Sequence, residues 1–235
     1  MKWLRTLVLI NQGDIISSKD WNTVHESYVR SIRSIDHPAE SGTLSLRRKM
    51  RLPNDQWQRN GVGYLRARFL DHMRNIEGWK SETDVDLGRD REQPAIKLFP
   101  SMESYREPIT SDFGGFDFTT IGPNGSKVAI EWETGNISSS HRSMNKLGMA
   151  LMNEVVQIGV LIVPSRNLYE HLTDRIGNIG ELSGYLSLWE GLKTGVKKGL
   201  LAITVVEHDA LTDDAAVPFL KSGNDGRAIE GRAKR

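Results

Sequence analysis

The sequence predicts an α/β fold, a central mixed β-sheet flanked by helices, on three observations. Gly159 to Val163 and Leu200 to Val206 are apolar runs of strand length, the pattern of strands buried on both faces. Amphipathic helical stretches precede and separate them. Phe116 to Ile121 and Lys127 to Glu133 flank Gly122-Pro123-Asn124-Gly125, the signature of a β-hairpin. Strands alternating with helices call for a sheet covered on its faces.

Each element has its own warrant. Leu4 to Ile10 reads as a strand closed by Asn11-Gln12-Gly13. From Ser18 to about Ile35, Trp21, Val24, Tyr28 and Ile32 recur at helical spacing behind a capping signal from Ser18 and Asp20. A second helix runs from about Val62 to Ile76, with Tyr64, Leu65, Phe69 and Met73 on one stripe and Arg66, Arg68 and Arg74 around it. Residues 83 to 110 are polar and irregular, with Pro94, Pro100 and Pro108, and read as an insertion loop. After the hairpin, Met144, Leu147, Leu151, Met152 and Val155 place a helix over about Ser139 to Val156. Further helices are expected over about Arg166 to Leu172 and Gly180 to Leu192. Met149, Met152 and Val156 belong either to the core or to a dimer face.

The 235 residues, 38% apolar and 26% charged, suit one domain over 1–235 with a sizeable core. Without cysteine the chain has no disulfide, thiolate nucleophile or iron-sulfur cluster, which is compatible with a reducing compartment such as the cytoplasm. The N-terminal run Leu7 to Ile10 is too short for a signal-peptide core or a membrane span, so neither secretion nor a membrane is expected. The net charge of +1 hides an asymmetry: residues 1–80 sum to +6, 81–133 to −6, and the tail 220–235 to +3. An acidic middle between basic ends suits a metal cluster framed by phosphate-binding surface.

That chemistry concentrates in the second hairpin strand. Alternation puts Val128, Ile130 and Trp132 on one face and Ala129, Glu131 and Glu133 on the other. The two carboxylates then share a face with Cα atoms roughly 6.5 to 7 Å apart. Asp117, on the partner strand, is brought alongside. Clustered carboxylates repel one another unless a cation compensates, and oxygen donors suit Mg²⁺. A Glu-x-Glu on a strand is commonest on solvated sheet faces; what distinguishes this one is the turn and helix that follow, with Arg142 and Lys146 near the helix start. Asp112 competes with Asp117, and hairpin geometry favours Asp117. Asp174-Arg175 suits a G·C pair, since Arg donates to guanine and Asp accepts from cytosine in the major groove.

Glu131 to Lys146, EWETGNISSSHRSMNK, resembles the catalytic segment of the BamHI family of type II restriction endonucleases. The resemblance continues through LIVPSR at 161–166, Tyr169, LTDR at 172–175, Glu181 and SGNDGR at 222–227, and from Asn60-Gly61-Val62 through Trp79 and Glu82. It implies a PD-(D/E)xK restriction-endonuclease-like fold in which Asp117, Glu131 and Glu82 hold Mg²⁺, two ions per site, and Trp132 adds its backbone carbonyl. Glu107 competes with Glu82 for the helper role. Glu133 stands where the wider pattern has Lys and would position the attacking water or take its proton; Phe116 stands where the pattern has Pro. Arg66, Asn136, Ser138, Arg142, Asp174, Arg175, Asp225 and Gly226 fall at DNA-contacting positions, Arg66 where the family has Lys. His141 lies within the motif and reads as a helix-surface or interface residue. The implied activity is Mg²⁺-dependent hydrolysis of double-stranded DNA at a palindrome, GGATCC, leaving 5′-phosphates. The expected assembly is a homodimer, with a companion methyltransferase acting on the same site. Two other readings stay open: a sequence-specific DNA-binding protein on the same fold without cleavage, and an interaction domain with a solvated acidic strand.

Overall fold

The computed structural model describes residues 1–83, 96–104, 114–173 and 176–221, apart from the side chains of Glu82 and Thr83. Its strands are β1 (Lys2–Gln12), β2 (Ser45–Arg47), β3 (Met50–Arg51), β4 (Trp57–Gln58), β5 (Lys80–Thr83), β6 (Phe116–Ile121), β7 (Lys127–Trp132), β8 (Ile158–Pro164), β9 (Gly199–Glu207) and β10 (Ala210–Thr212). The helices are α1 (Lys19–Arg33), α2 (Gly63–Asn75), α3 (Ile137–Met152), α4 (Arg166–Tyr169), α5 (Ile179–Leu182) and α6 (Leu186–Gly191). Six strands form one sheet in the order β1-β9-β8-β7-β6-β5. The inner strands β7, β8 and β9 are parallel to one another, and β1, β6 and β5 join antiparallel, so the sheet is mixed.

The buried runs behave as their composition demands. Every residue of β8 is buried, as is all of β9 except Glu207. Helices α1 and α2 cover one face, where Tyr28, Ile32, Leu65, Phe69 and Met73 meet Phe118, Val128, Ile130, Trp132 and Ile162. Helix α3 covers the other, where Met144, Leu147, Ala150 and Leu151 meet Ala129, Leu161, Val163, Leu201 and Ile203. Both faces of β7 therefore lie under helices. Ser18 caps α1 by accepting from the Trp21 amide at 3.1 Å. Asp20, in the first turn of that helix, accepts from the amides of Asn124 at 2.5 Å and Ser126 at 3.1 Å. Its carboxylate thus pins the β6–β7 turn from 104 residues away in sequence, and the close packing leaves no room for a Cβ at Gly122, 2.7 Å from Asp20 Cγ. Burial pulls the Asp20 carboxyl up, but hydrogen bonds from Ser126 and Asn124 outweigh it and hold the group below the usual carboxylate range.

Some expectations need correction. Helix α3 starts at Ile137 and stops at Met152, because Asn136 caps it and Glu154 turns with positive φ. The helix expected over Gly180–Leu192 is two short helices joined by a 3₁₀ turn at Ser183–Tyr185. Strand β5 ends at Thr83, the first residue of the expected insertion, and the short strands β2, β3, β4 and β10 carry no clear alternation. Val156 is core, whereas Met149 and Met152 are half-buried.

Candidate active site

The parallel strands end on the same side, and the loops after β7 and β8 meet there. An open α/β sheet places ligands beyond such strand ends. Phe118 pairs with Ile130 at the end of the β6–β7 ladder, and Asp117 and Glu131 are the residues next beyond that pair. Phe116 and Phe118, two residues apart, lie in different core layers, which means that the alternation of β6 breaks at Asp117. The Asp117 side chain is thereby freed from the pleat. Its Oδ2 accepts from the Trp132 amide at 2.8 Å, and its Oδ1 from Arg66 of α2 at 2.6 Å. Trp132 itself stacks on Phe69 with ring centroids 4.5 Å apart, which fixes the end of β7.

Glu131 faces α3 and is buried. Its Oε1 forms an ion pair with Lys146, whose ammonium also donates to the Gly115 carbonyl at 2.7 Å and lies 4.5 Å from the centre of the Phe116 ring. Burial and the nearby charge of Asp117 push the Glu131 carboxyl up, to about 7, against the pull of Lys146. Glu133 is equally buried. Its amide donates to the Ile162 carbonyl at 2.9 Å, extending the ladder past β7, and its Oε1 accepts from the Gly135 amide at 2.5 Å. Oε2 is buried without a hydrogen-bond partner, as is the Ser140 hydroxyl, which is close enough to pull this carboxyl down. Burial is the main influence raising this carboxyl as well.

The acidic set fits a hard divalent cation: oxygen donors only, largely withdrawn from solvent at Glu131 and Glu133, and in need of positive charge, part of which Arg66 and Lys146 supply. Among the described residues, no three Asp, Glu or His side chains converge on one point. Glu82 lies in β5, beside β6, with its side chain outside the described residues.

The loop after β8 closes on the start of α3. Ile176 bridges to Asn136, and the Gly177 amide donates to the Gly135 carbonyl at 3.0 Å. A Cβ on Gly177 would collide with Ser140 Oγ, and one on Gly135 would lie 2.6 Å from Ser139 Oγ. Gly177→Ala is therefore expected to cost about 1–3 kcal/mol by forcing the loop off the helix. Urea denaturation checks this; an unchanged midpoint would mean that the close approach carries no weight.

Of the expected DNA-contacting residues, Asn136, Ser138 and Arg142 are exposed around the first turns of α3, where the Asn136 side chain accepts from the Ser139 amide. Arg66 is turned inward onto Asp117. Asp174, Arg175, Asp225, Gly226, Glu107 and Asp112 lie outside the described residues. His141 is half-buried against Tyr185 and Trp189, with ring centroids 4.3 and 5.3 Å away. Sequence reasoning missed the Arg66–Asp117 contact and the burial of Lys146. The one available signal was that Lys146 falls four residues before Ala150, on the core side of α3.

A mixed sheet with carboxylates at its strand ends, met by a cation from each covering helix layer, defines an α/β protein with an acidic site whose oxygen donors suit a hard cation. The family model for the restriction endonuclease BamHI matches residues 1–227, and the chain belongs to the BamHI restriction endonuclease family. It is 50% identical over 105 residues to the type II restriction enzyme OkrAI of Oceanobacter kriegii, covering 45% of this chain and 52% of that protein. It is 36% identical over 100 residues to the type II restriction enzyme BamHI of Bacillus amyloliquefaciens, covering 43% of each. The matched stretch thus spans about half the length of these relatives. Among solved structures, the restriction endonuclease BglII complexed with a DNA 16-mer aligns over 88% of this chain and 79% of that one, with a TM-score of 0.49 and 10% identity. No helix among the described residues is long and apolar enough to cross a membrane.

Proposed function

We propose that the chain is a type II site-specific deoxyribonuclease that hydrolyses phosphodiester bonds in double-stranded DNA with Mg²⁺. The observation that carries this reading is the half-buried Asp117 carboxylate beside the buried Glu131, with a third carboxylate, Glu133, holding a buried and unpartnered oxygen. Asp117 and Glu131 are the residues to hold metal, with the Trp132 carbonyl and Glu82 completing the set. When bound, Mg²⁺ supplies charge stabilisation and a water acidified toward hydroxide.

The remaining work belongs to the chain. The Gly135 amide fixes one oxygen of Glu133, leaving Oε2 to orient the attacking water and accept its proton. The raised affinity of this carboxyl for protons suits that task. Arg66 and Lys146 offset the charge of Asp117 and Glu131. Asn136, Ser138 and Arg142, with Asp174, Arg175, Asp225 and Gly226, are assigned to reading the DNA. A palindrome is best read by a two-fold dimer with each subunit cutting one strand. The proposed site is GGATCC, cut to leave 5′-phosphates, in the bacterial cytoplasm beside a methyltransferase that protects the same sequence.

The test is digestion of a plasmid carrying one GGATCC, with Mg²⁺ or with EDTA, and end-labelling of the product. One Mg²⁺-dependent cut at that sequence, bearing 5′-phosphates, is expected. Specific binding without any cut would favour the non-cleaving DNA-binding protein instead.

A further inference from the structure

We propose that the hairpin spanning residues 47–59 is a clamp on the phosphate backbone of duplex DNA outside the recognition sequence, with Arg48, Lys49 and Arg51 as its cations. The inference rests on the reading that this chain acts on DNA, and extends it to a part of the chain with no place in the chemistry.

The segment holds Arg47, Arg48, Lys49, Arg51 and Arg59 against a single acid, Asp55. Among the described residues, strands β3 and β4 pair only with each other, outside the six-stranded sheet. A two-stranded ribbon of this kind contributes little stability, and it leaves Trp57 52% exposed with Met50 exposed beside it. The Lys49 ammonium sits 5.5 Å from the centre of the Trp57 ring. Basic side chains interleaved with an exposed indole are what a sugar-phosphate chain is bound by.

Its placement gives the clamp its register. The Lys49 amide donates to His171 Nδ1 at 3.1 Å. Asn60, where the hairpin ends, donates its amide to the His171 carbonyl at 2.8 Å and accepts from the Thr173 amide at 2.6 Å. The ribbon is therefore fastened to the loop that runs on to Ile176 and the start of α3, next to Glu133. DNA seated over the strand ends and continuing past its recognition sequence would meet the ribbon.

The charges are available for exchange. Arg48 pairs with Asp213 at 3.4 Å, Lys49 with Glu170 at 3.0 Å and Arg51 with Asp55 at 3.2 Å; Arg48 is 51% and Arg51 63% exposed, and Lys49 is half-buried with the Glu170 side chain exposed. Exposed pairs of this kind contribute little, so phosphate oxygens replace the carboxylates at small cost. Arg47 differs: it donates to the carbonyls of Asp214 and Val217 and stacks on Phe219, which makes it a fastener of the chain before Leu220.

The experiment is fluorescence anisotropy of the full chain in EDTA on duplexes of about 12 and about 30 base pairs centred on GGATCC, each titrated with salt. A scrambled duplex of the longer length runs beside them. The parent protein is expected to bind the long duplex at least about ten-fold more tightly than the short one. Replacing Arg48, Lys49 and Arg51 together by Gln should erase that advantage and lower the slope of log K against log salt by about two to three, near 0.9 per phosphate contact. Trp57→Ala should lose part of the same advantage. An unchanged flank-length dependence or an unchanged salt slope in the triple variant overturns the clamp. If the parent shows no preference for GGATCC over the scrambled duplex, the sequence assignment fails, while the salt slope on the scrambled duplex still decides the clamp. An unchanged melting curve verifies that the triple variant is folded.

Discussion

Glu131→Ala is expected to lose DNA cleavage by at least about 10³-fold, the several kcal/mol that a positioned metal ion supplies, and to melt well below the parent protein. The two losses have different causes. The first removes a carboxylate proposed to hold Mg²⁺. The second strands the Lys146 ammonium in a buried site, where its remaining partners are the Gly115 carbonyl and the Phe116 ring. Breaking one side of a buried ion pair costs about 3–5 kcal/mol. Glu131→Gln combined with Lys146→Met removes both charges and should recover most of the stability while recovering none of the cleavage. Thermal melts and plasmid digestion of the single and double variants separate the effects. A Glu131→Ala protein that still cuts would remove this residue from the chemistry; a double variant no more stable than the single one would show that the ion pair is not what the fold depends on.

Lys146→Met is expected to give the second largest change, and one that depends on pH. Methionine keeps the packing against Phe116 but leaves the buried Glu131 carboxylate without its cation. Glu131 already stands above its ordinary range through burial and Asp117, and removing the ammonium raises it further. A folded-state pKa above the unfolded value means that the folded protein holds a proton which the unfolded chain has released. The variant should therefore be least destabilised near pH 5, where Glu131 is neutral. The loss should grow as pH rises through the folded-state pKa, reaching about 3 kcal/mol once the carboxylate is ionised and unpaired. Mg²⁺ should raise the melting temperature of the variant more than that of the parent, because the ion takes over the compensation that Lys146 provides. Melts at pH 5 and pH 8, with and without Mg²⁺, test this. A destabilisation independent of pH would assign Lys146 a packing role alone.

Much of the site was legible in the sequence because it rests on local rules. The hairpin followed from Gly122 to Gly125 between two strand-like runs, and the alternation of Lys127 to Glu133 put Glu131 on the face opposite Val128, Ile130 and Trp132. The buried strands β8 and β9 followed from composition alone. Helix α3 was placed by its apolar spacing, though its start was set two residues too late. Asn136, read only as a residue near DNA, is the cap that begins it.

The sequence by itself determined the central strands and the main helices, the order of the carboxylates and the family to which they belong, because periodicity, capping and turn chemistry act over a few residues. Only the tertiary structure decided which charges meet. Asp117 leaves the pleat where β6 passes from one core layer to the other, and Arg66 reaches it from a helix 51 residues earlier. Lys146 reaches Glu131 because α3 lies flat on the sheet, and Asp20 pins the far turn of the hairpin that carries both acids. These contacts join helices from both faces of the sheet to the one hairpin between them. Their existence depends on layer packing and on the cost of burying an uncompensated charge, which no spacing along the chain records.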